Sequence, residues 1–88
     1  MSYRVVWKKK VQKQIDRCPI FIQEKFGELV DDLMETGAIQ KKWKNFSALG
    51  KNVYHCHLDY SWVACWRWEK GTIIVEVQYV GSRESAPY

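Results

Sequence analysis

Three β-rich runs packed into the C-terminal half constrain the fold of this chain more than any other feature. Residues 53–58 read Val-Tyr-His-Cys-His-Leu, residues 62–68 read Trp-Val-Ala-Cys-Trp-Arg-Trp, and residues 73–80 read Ile-Ile-Val-Glu-Val-Gln-Tyr-Val. Each has the length and composition of a strand. The links are short: Asp59-Tyr60-Ser61 and Glu69-Lys70-Gly71-Thr72. Hairpin connections of this kind predict an antiparallel meander. Side chains alternate faces along a strand, so Tyr54, Cys56 and Leu58 share one face, which is expected to be buried. His55 and His57 share the opposite face, roughly 6–7 Å apart by the strand rise, and are expected to lie exposed. Trp62, Ala64, Trp66 and Trp68 share one side of the second strand, opposite Val63, Cys65 and Arg67. Ile73, Val75, Val77 and Tyr79 share one side of the third.

The N-terminal half supplies what covers the buried face. Residues 3–7 read as a short strand. From Lys8 to Arg17 the apolar residues are Val11 and Ile15, four apart among charges, which predicts a short amphipathic helix. Pro19 ends it and can open a second helix at its first turn. Ile22, Phe26, Leu29 and Leu33 carry the helical period, and Gly37 provides the stop. Gly27 falls inside this helix and suggests close packing against the first one. Residues 38–51 read as a basic connection pinned to the core by Trp43, Phe46 and Leu49. The expected fold is α+β, a single small domain over residues 1–88. Its order is β-α-α-β-β-β, with two N-terminal helices packed on one face of a C-terminal antiparallel meander.

Charge and cysteine usage narrow the partners. The net charge is +4 across 88 residues. Lys8, Lys9, Lys10, Lys13 and Arg17 form one basic cluster, and Lys41, Lys42, Lys44 and Lys51 form a second. The segment 24–35 is acidic. Such segregation suggests a polyanion on the basic side. Three cysteines, Cys18, Cys56 and Cys65, cannot complete a disulfide framework and read as reduced thiols, so a reducing, cytoplasmic location is expected. No apolar run approaches the ~18 residues of a membrane span, and the N-terminus shows no secretory pattern.

The two histidines carry the most chemistry. Both forms of an imidazole are accessible near neutral pH, so one can act as general base and the other as general acid. Cutting RNA at its own 2′-hydroxyl needs such a pair and a cation on the phosphorane. Arg83, directly after the last strand, is the candidate cation. Tyr88 is a candidate for stacking on a base or offering its hydroxyl. The bland alternatives are surface histidines and a solvated tail. No metal site is expected, because Cys56 faces away from the histidines and no other ligand cluster is visible.

These residues resemble a known group. The stretch Val-Tyr-His-Cys-His-Leu, the aromatic-rich strand after it, and the ending Val80-Gly81-Ser82-Arg83-Glu84 with Tyr88 are similar to the RelE/ParE superfamily of bacterial toxins. Cys56-His57-Leu58 with Trp62 is closest to the YafQ branch, and the ending is closer to RelE. The resemblance implies the toxin of a type II toxin–antitoxin system, a ribosome-dependent mRNA endoribonuclease that needs neither cofactor nor metal. It implies catalytic roles for His55, His57, Arg83 and Tyr88, RNA contacts from the lysine clusters and Trp62, and a cognate antitoxin, the ribosome and mRNA as partners. The acidic segment 24–35, with Glu28, Asp31 and Asp32, is a candidate docking site for basic antitoxin residues. Two positions depart from the pattern: Val63 stands where RelE has an arginine, and Ser61 where YafQ has an aspartate. Two rival readings share the fold: a ParE-like DNA gyrase inhibitor, and a non-catalytic module that only binds RNA or a partner.

Overall fold

The computed structural model describes residues 2–88. Among them the order is β1 (Arg4–Trp7), α1 (Lys9–Arg17), α2 (Ile20–Thr36), β2 (Ser47–Gly50), β3 (Val53–Asp59), β4 (Trp62–Arg67) and β5 (Ile74–Ser82). The strands form one sheet in the order β1-β5-β4-β3-β2. The meander β3-β4-β5 is antiparallel, as its short links require. One feature departs from the expected topology, and one fills a pairing that the order of elements leaves open. Residues expected as a plain connection contribute β2, an antiparallel edge strand beside β3. β1 closes the other edge by pairing parallel to β5.

Both helices cover one face of the sheet. α1 buries Val11 and Ile15, and α2 buries Ile22, Phe26, Leu29 and Leu33. Their sheet partners are Cys56, Leu58, Ala64, Trp66, Val75, Val77 and Val80. Fully burying one such aliphatic side chain stabilises by about 1.5–3 kcal/mol. Trp66 is the largest buried side chain, and its Nε1–H donates to the Ala38 carbonyl at 3.0 Å. Trp43 and Phe46 pin the connection as expected; Phe46 stacks on both Tyr54 and Trp66.

α2 ends where the backbone must turn. Gly37 has φ 89° and returns its N–H to Leu33. A Cβ there would stand 2.8 Å from the Tyr3 ring, so glycine is required twice over. Gly27 is different. Nothing lies within 4 Å of a Cβ built there, so the expectation of close helix packing is wrong at this position. Nothing in the structure explains Gly27.

The alternation of the last strand also needs correction. Cys65 pairs with Tyr79 but Trp66 pairs with Val77, so Gln78 is an extra residue in a bulge. Val75 and Val77 face the helices; past the bulge Val80 takes that side and Tyr79 turns to the opposite face. No helix among the described residues is long and apolar enough to cross a membrane.

Candidate functional site

The face away from the helices is built on the β3–β4–β5 register. His55 pairs with Cys65, His57 with Val63, Cys65 with Tyr79 and Val63 with Gly81. Cross-strand partners share a face. This face was expected to be open, but its floor is closed: Val63 is 0% exposed and each histidine only 8%. The coverings come from segments that the strand pattern does not reveal. The connection before β2 lies against β3, where the His57 N–H donates to the Lys44 carbonyl at 2.8 Å. The C-terminal tail folds back over the face and brings the Tyr88 ring to 4.7 Å from the His55 ring.

The histidines stand together as their spacing predicts. Their ring centroids are 5.8 Å apart with planes inclined by 61°. Ser47 on β2 lies beside His55, with its Oγ 3.2 Å from Nδ1. Burial pushes the His55 pKa down, and a hydrogen bond to the Ser47 backbone partly opposes it. Burial also lowers the His57 pKa, joined by the charges of His55, Arg83 and Lys44; a hydrogen bond to the Tyr60 backbone opposes these. Both rings are therefore held toward the neutral form, which offers a lone pair to a proton donor.

Arg83 reaches the site by a local tie. Its N–H donates to the Ser61 carbonyl at 2.8 Å, and its guanidinium sits 5.6 Å from the Tyr60 ring centroid. The Ser61 carbonyl thus anchors the arginine backbone. The tail then turns through hydrogen bonds from the Ser85 N–H to the Ser82 hydroxyl and from the Ala86 N–H to the Arg83 carbonyl. Gly81 lets this happen. A Cβ there would lie 2.8 Å from the Tyr79 hydroxyl, which donates to the Ser82 carbonyl.

The remaining candidates divide. Lys42 and Lys44 line a groove of about 470 Å³ beside His57, with Asp59 and the α2 acids Glu28 and Asp32 across it. Lys8 and Lys10 line a second depression with the tail residue Pro87. Lys9 and Lys13 are exposed on α1, Lys51 sits in the β2–β3 turn, and Lys41 borders Asp32 and Glu35. Trp62 is half-buried against the helix-side core and lines a depression with Gln14 and Arg17. It is on the wrong side of the sheet to share a surface with the histidines, because its parity is that of Ala64 and Trp66. Ser47 and Tyr60 were missed. Neither has a motif, and only pairing with His55 and Arg83 gives them meaning. Among the described residues, no group of three or more His, Cys, Asp or Glu side chains is arranged to hold a metal ion.

No protein-family model matches the chain, and no curated protein matches its sequence. Solved structures match it along nearly its whole length. A double mutant of the E. coli toxin RelE in the free state aligns with TM-score 0.75 at 16% identity, covering 98% of this chain and 88% of that one. A chain from the archaeal RelE–RelB complex of Pyrococcus horikoshii gives TM-score 0.76 at 19% identity, covering 98% and 100%. A YoeB/ParE toxin from Agrobacterium tumefaciens gives 0.72 at 12%, covering 91% and 98%. The fold is therefore the RelE-like fold of the RelE/ParE toxins.

Proposed function

We propose that the chain is the toxin of a type II toxin–antitoxin pair and an endoribonuclease acting on mRNA in the ribosome. The observation that carries this reading is that His55 and His57 of β3 and Tyr88 of the tail, some thirty positions apart in the chain, meet on one face. Arg83, held at the β3–β4 turn, lies near enough for its charge to act on His57. The arrangement suits 2′-hydroxyl attack. His57, surrounded by Lys44, Arg83 and His55, favours its neutral form and takes the 2′-hydroxyl proton. The O2′–P bond forms, the P–O5′ bond breaks, and His55 delivers a proton to the departing 5′ oxygen. The products are a 2′,3′-cyclic phosphate and a 5′-hydroxyl; water exchange returns the two rings to their starting states. Arg83 stabilises the phosphorane charge, and Tyr88 stacks on or orients the nucleotide. Lys42 and Lys44 hold phosphates beside His57.

The RelE–RelB complex among the structural neighbours supports an antitoxin as partner. The exposed acids of α2 are its proposed contact for basic residues. Expression of the chain should arrest growth and leave cut messages, and His57→Ala should abolish both. A wild-type chain that arrests growth while messages stay intact would reject the nuclease. DNA damage in that experiment would instead favour gyrase inhibition, and ribosome binding without cleavage a non-catalytic module, the reading to which the absence of an arginine at Val63 belongs.

A further inference from the structure

We propose that Ser47 is a positioning residue that makes His55 the proton-donating member of the pair. This rests on the nuclease reading for its kinetic consequence, but its structural content is independent of it. β2 is a four-residue edge strand whose register places Ser47 directly opposite His55. The Ser47 Oγ lies 3.2 Å from His55 Nδ1. The Ser47 backbone acts on the ring in the same sense, raising the His55 pKa against the effect of burial. A hydroxyl oxygen can accept, and in this arrangement the Ser47 Oγ takes the hydrogen of Nδ1. An Nδ1–H held by Ser47 fixes the orientation of the imidazole and leaves Nε2 as the nitrogen that exchanges protons.

The consequence is an asymmetry between two otherwise similar rings. Hydrogen bonding to acceptors stabilises the charged imidazolium. Ser47 offers His55 an acceptor, and β2 (Ser47–Gly50) carries no titratable side chain. The other titratable groups near His55 are His57 on its own strand, Cys65 opposite on β4 and Tyr88 from the tail. His57 also has a backbone acceptor, at Tyr60, but it feels the charges of His55, Arg83 and Lys44 as well. His55 is therefore the easier ring to protonate. When the imidazolium gives up its Nε2 proton, the neutral ring that remains is already the Nδ1–H form that Ser47 holds, so no ring flip is needed.

The test uses the full chain labelled with ¹⁵N. In the wild type, imidazole spectra should show neutral His55 as the Nδ1–H tautomer, titrating above His57. Ser47→Ala should lower the His55 pKa and raise its Nε2–H fraction, while His57 stays within error; Ser47→Thr should retain the wild-type values. An unchanged His55 tautomer and pKa in a folded Ser47→Ala protein would overturn the proposal. So would a wild-type ring that is Nε2–H at neutral pH. In a cleavage assay, the high-pH limb of kcat/KM should move down by the same amount as the His55 pKa; a limb that stays put would overturn the kinetic part. Absence of cleavage by the wild type would refute the nuclease reading and leave the spectroscopic outcome to decide the Ser47 contact.

Discussion

The Arg83 guanidinium lies 5.6 Å from the centre of the Tyr60 ring, while its backbone N–H is fixed to the Ser61 carbonyl. The β3–β4 turn thus holds the tail arginine from two sides. Tyr60 is 69% exposed, so the cation–π contact is worth about 0.5–1 kcal/mol. Tyr60→Ala should slow single-turnover RNA cleavage roughly 2–5-fold, the kinetic equivalent of that energy. Arg83→Ala should slow it roughly 10²–10³-fold, as for loss of one transition-state donor. Equal effects from the two substitutions would show that Tyr60 does more than hold Arg83.

Both histidines are buried and held below the ordinary imidazole pKa of 6.5. Between the depressed values and 6.5, the unfolded chain binds more protons than the folded chain. Stability must therefore rise with pH through that window, and fall as acid forces charge onto buried rings. Denaturant midpoints should drop as pH is lowered below 6.5 and level off once both folded-state values are passed. Replacing both histidines by Gln should flatten that segment of the profile. A midpoint independent of pH in the wild type would contradict the burial.

The two glycines of the α2 region should respond in opposite directions. Gly27 is helical and exposed with open space around it, so Gly27→Ala should stabilise by roughly 0.5–1 kcal/mol. Gly37 has φ 89° and abuts the Tyr3 ring, so Gly37→Ala should destabilise by more than that. Paired urea melts check both signs.

Cys56 and Cys65 are buried, and burial pushes both thiols up to about 12, with the Cys65 charge adding to the effect on Cys56. Burial raises Cys18 as well. Thiolate is the reacting species, so all three should resist a thiol reagent at pH 7 in the native state and react together on unfolding. Rapid native labelling at Cys56 or Cys65 would contradict the packing of the β3–β4 pair.

The elements with strong periodicity were legible without coordinates. Ile22, Phe26, Leu29 and Leu33 marked α2, and Tyr54, Cys56 and Leu58 marked the buried side of β3. What was hidden depends on partners distant in sequence. Ser47-Ala48-Leu49-Gly50 has no alternation because β2 is a bulged edge held by backbone hydrogen bonds. Trp7 gives no hint that β1 runs parallel to β5. The Gln78 bulge leaves no mark in composition, so Tyr79 was assigned to the wrong face. The histidine pair was readable from the period of two. Its burial was not, because Lys44 and Tyr88 close over it from segments with no period at all.

In the proposed reaction the histidine pair cuts RNA at its own 2′-hydroxyl, with His57 as base. The most direct measurement is the chemical identity of the ends left on message isolated from ribosomes supplied with the purified chain. A 2′,3′-cyclic phosphate on one fragment and a 5′-hydroxyl on the other are expected, both absent with His57→Ala. Fragments bearing a 5′-phosphate, or the same yield from the folded His57→Ala protein, would contradict it.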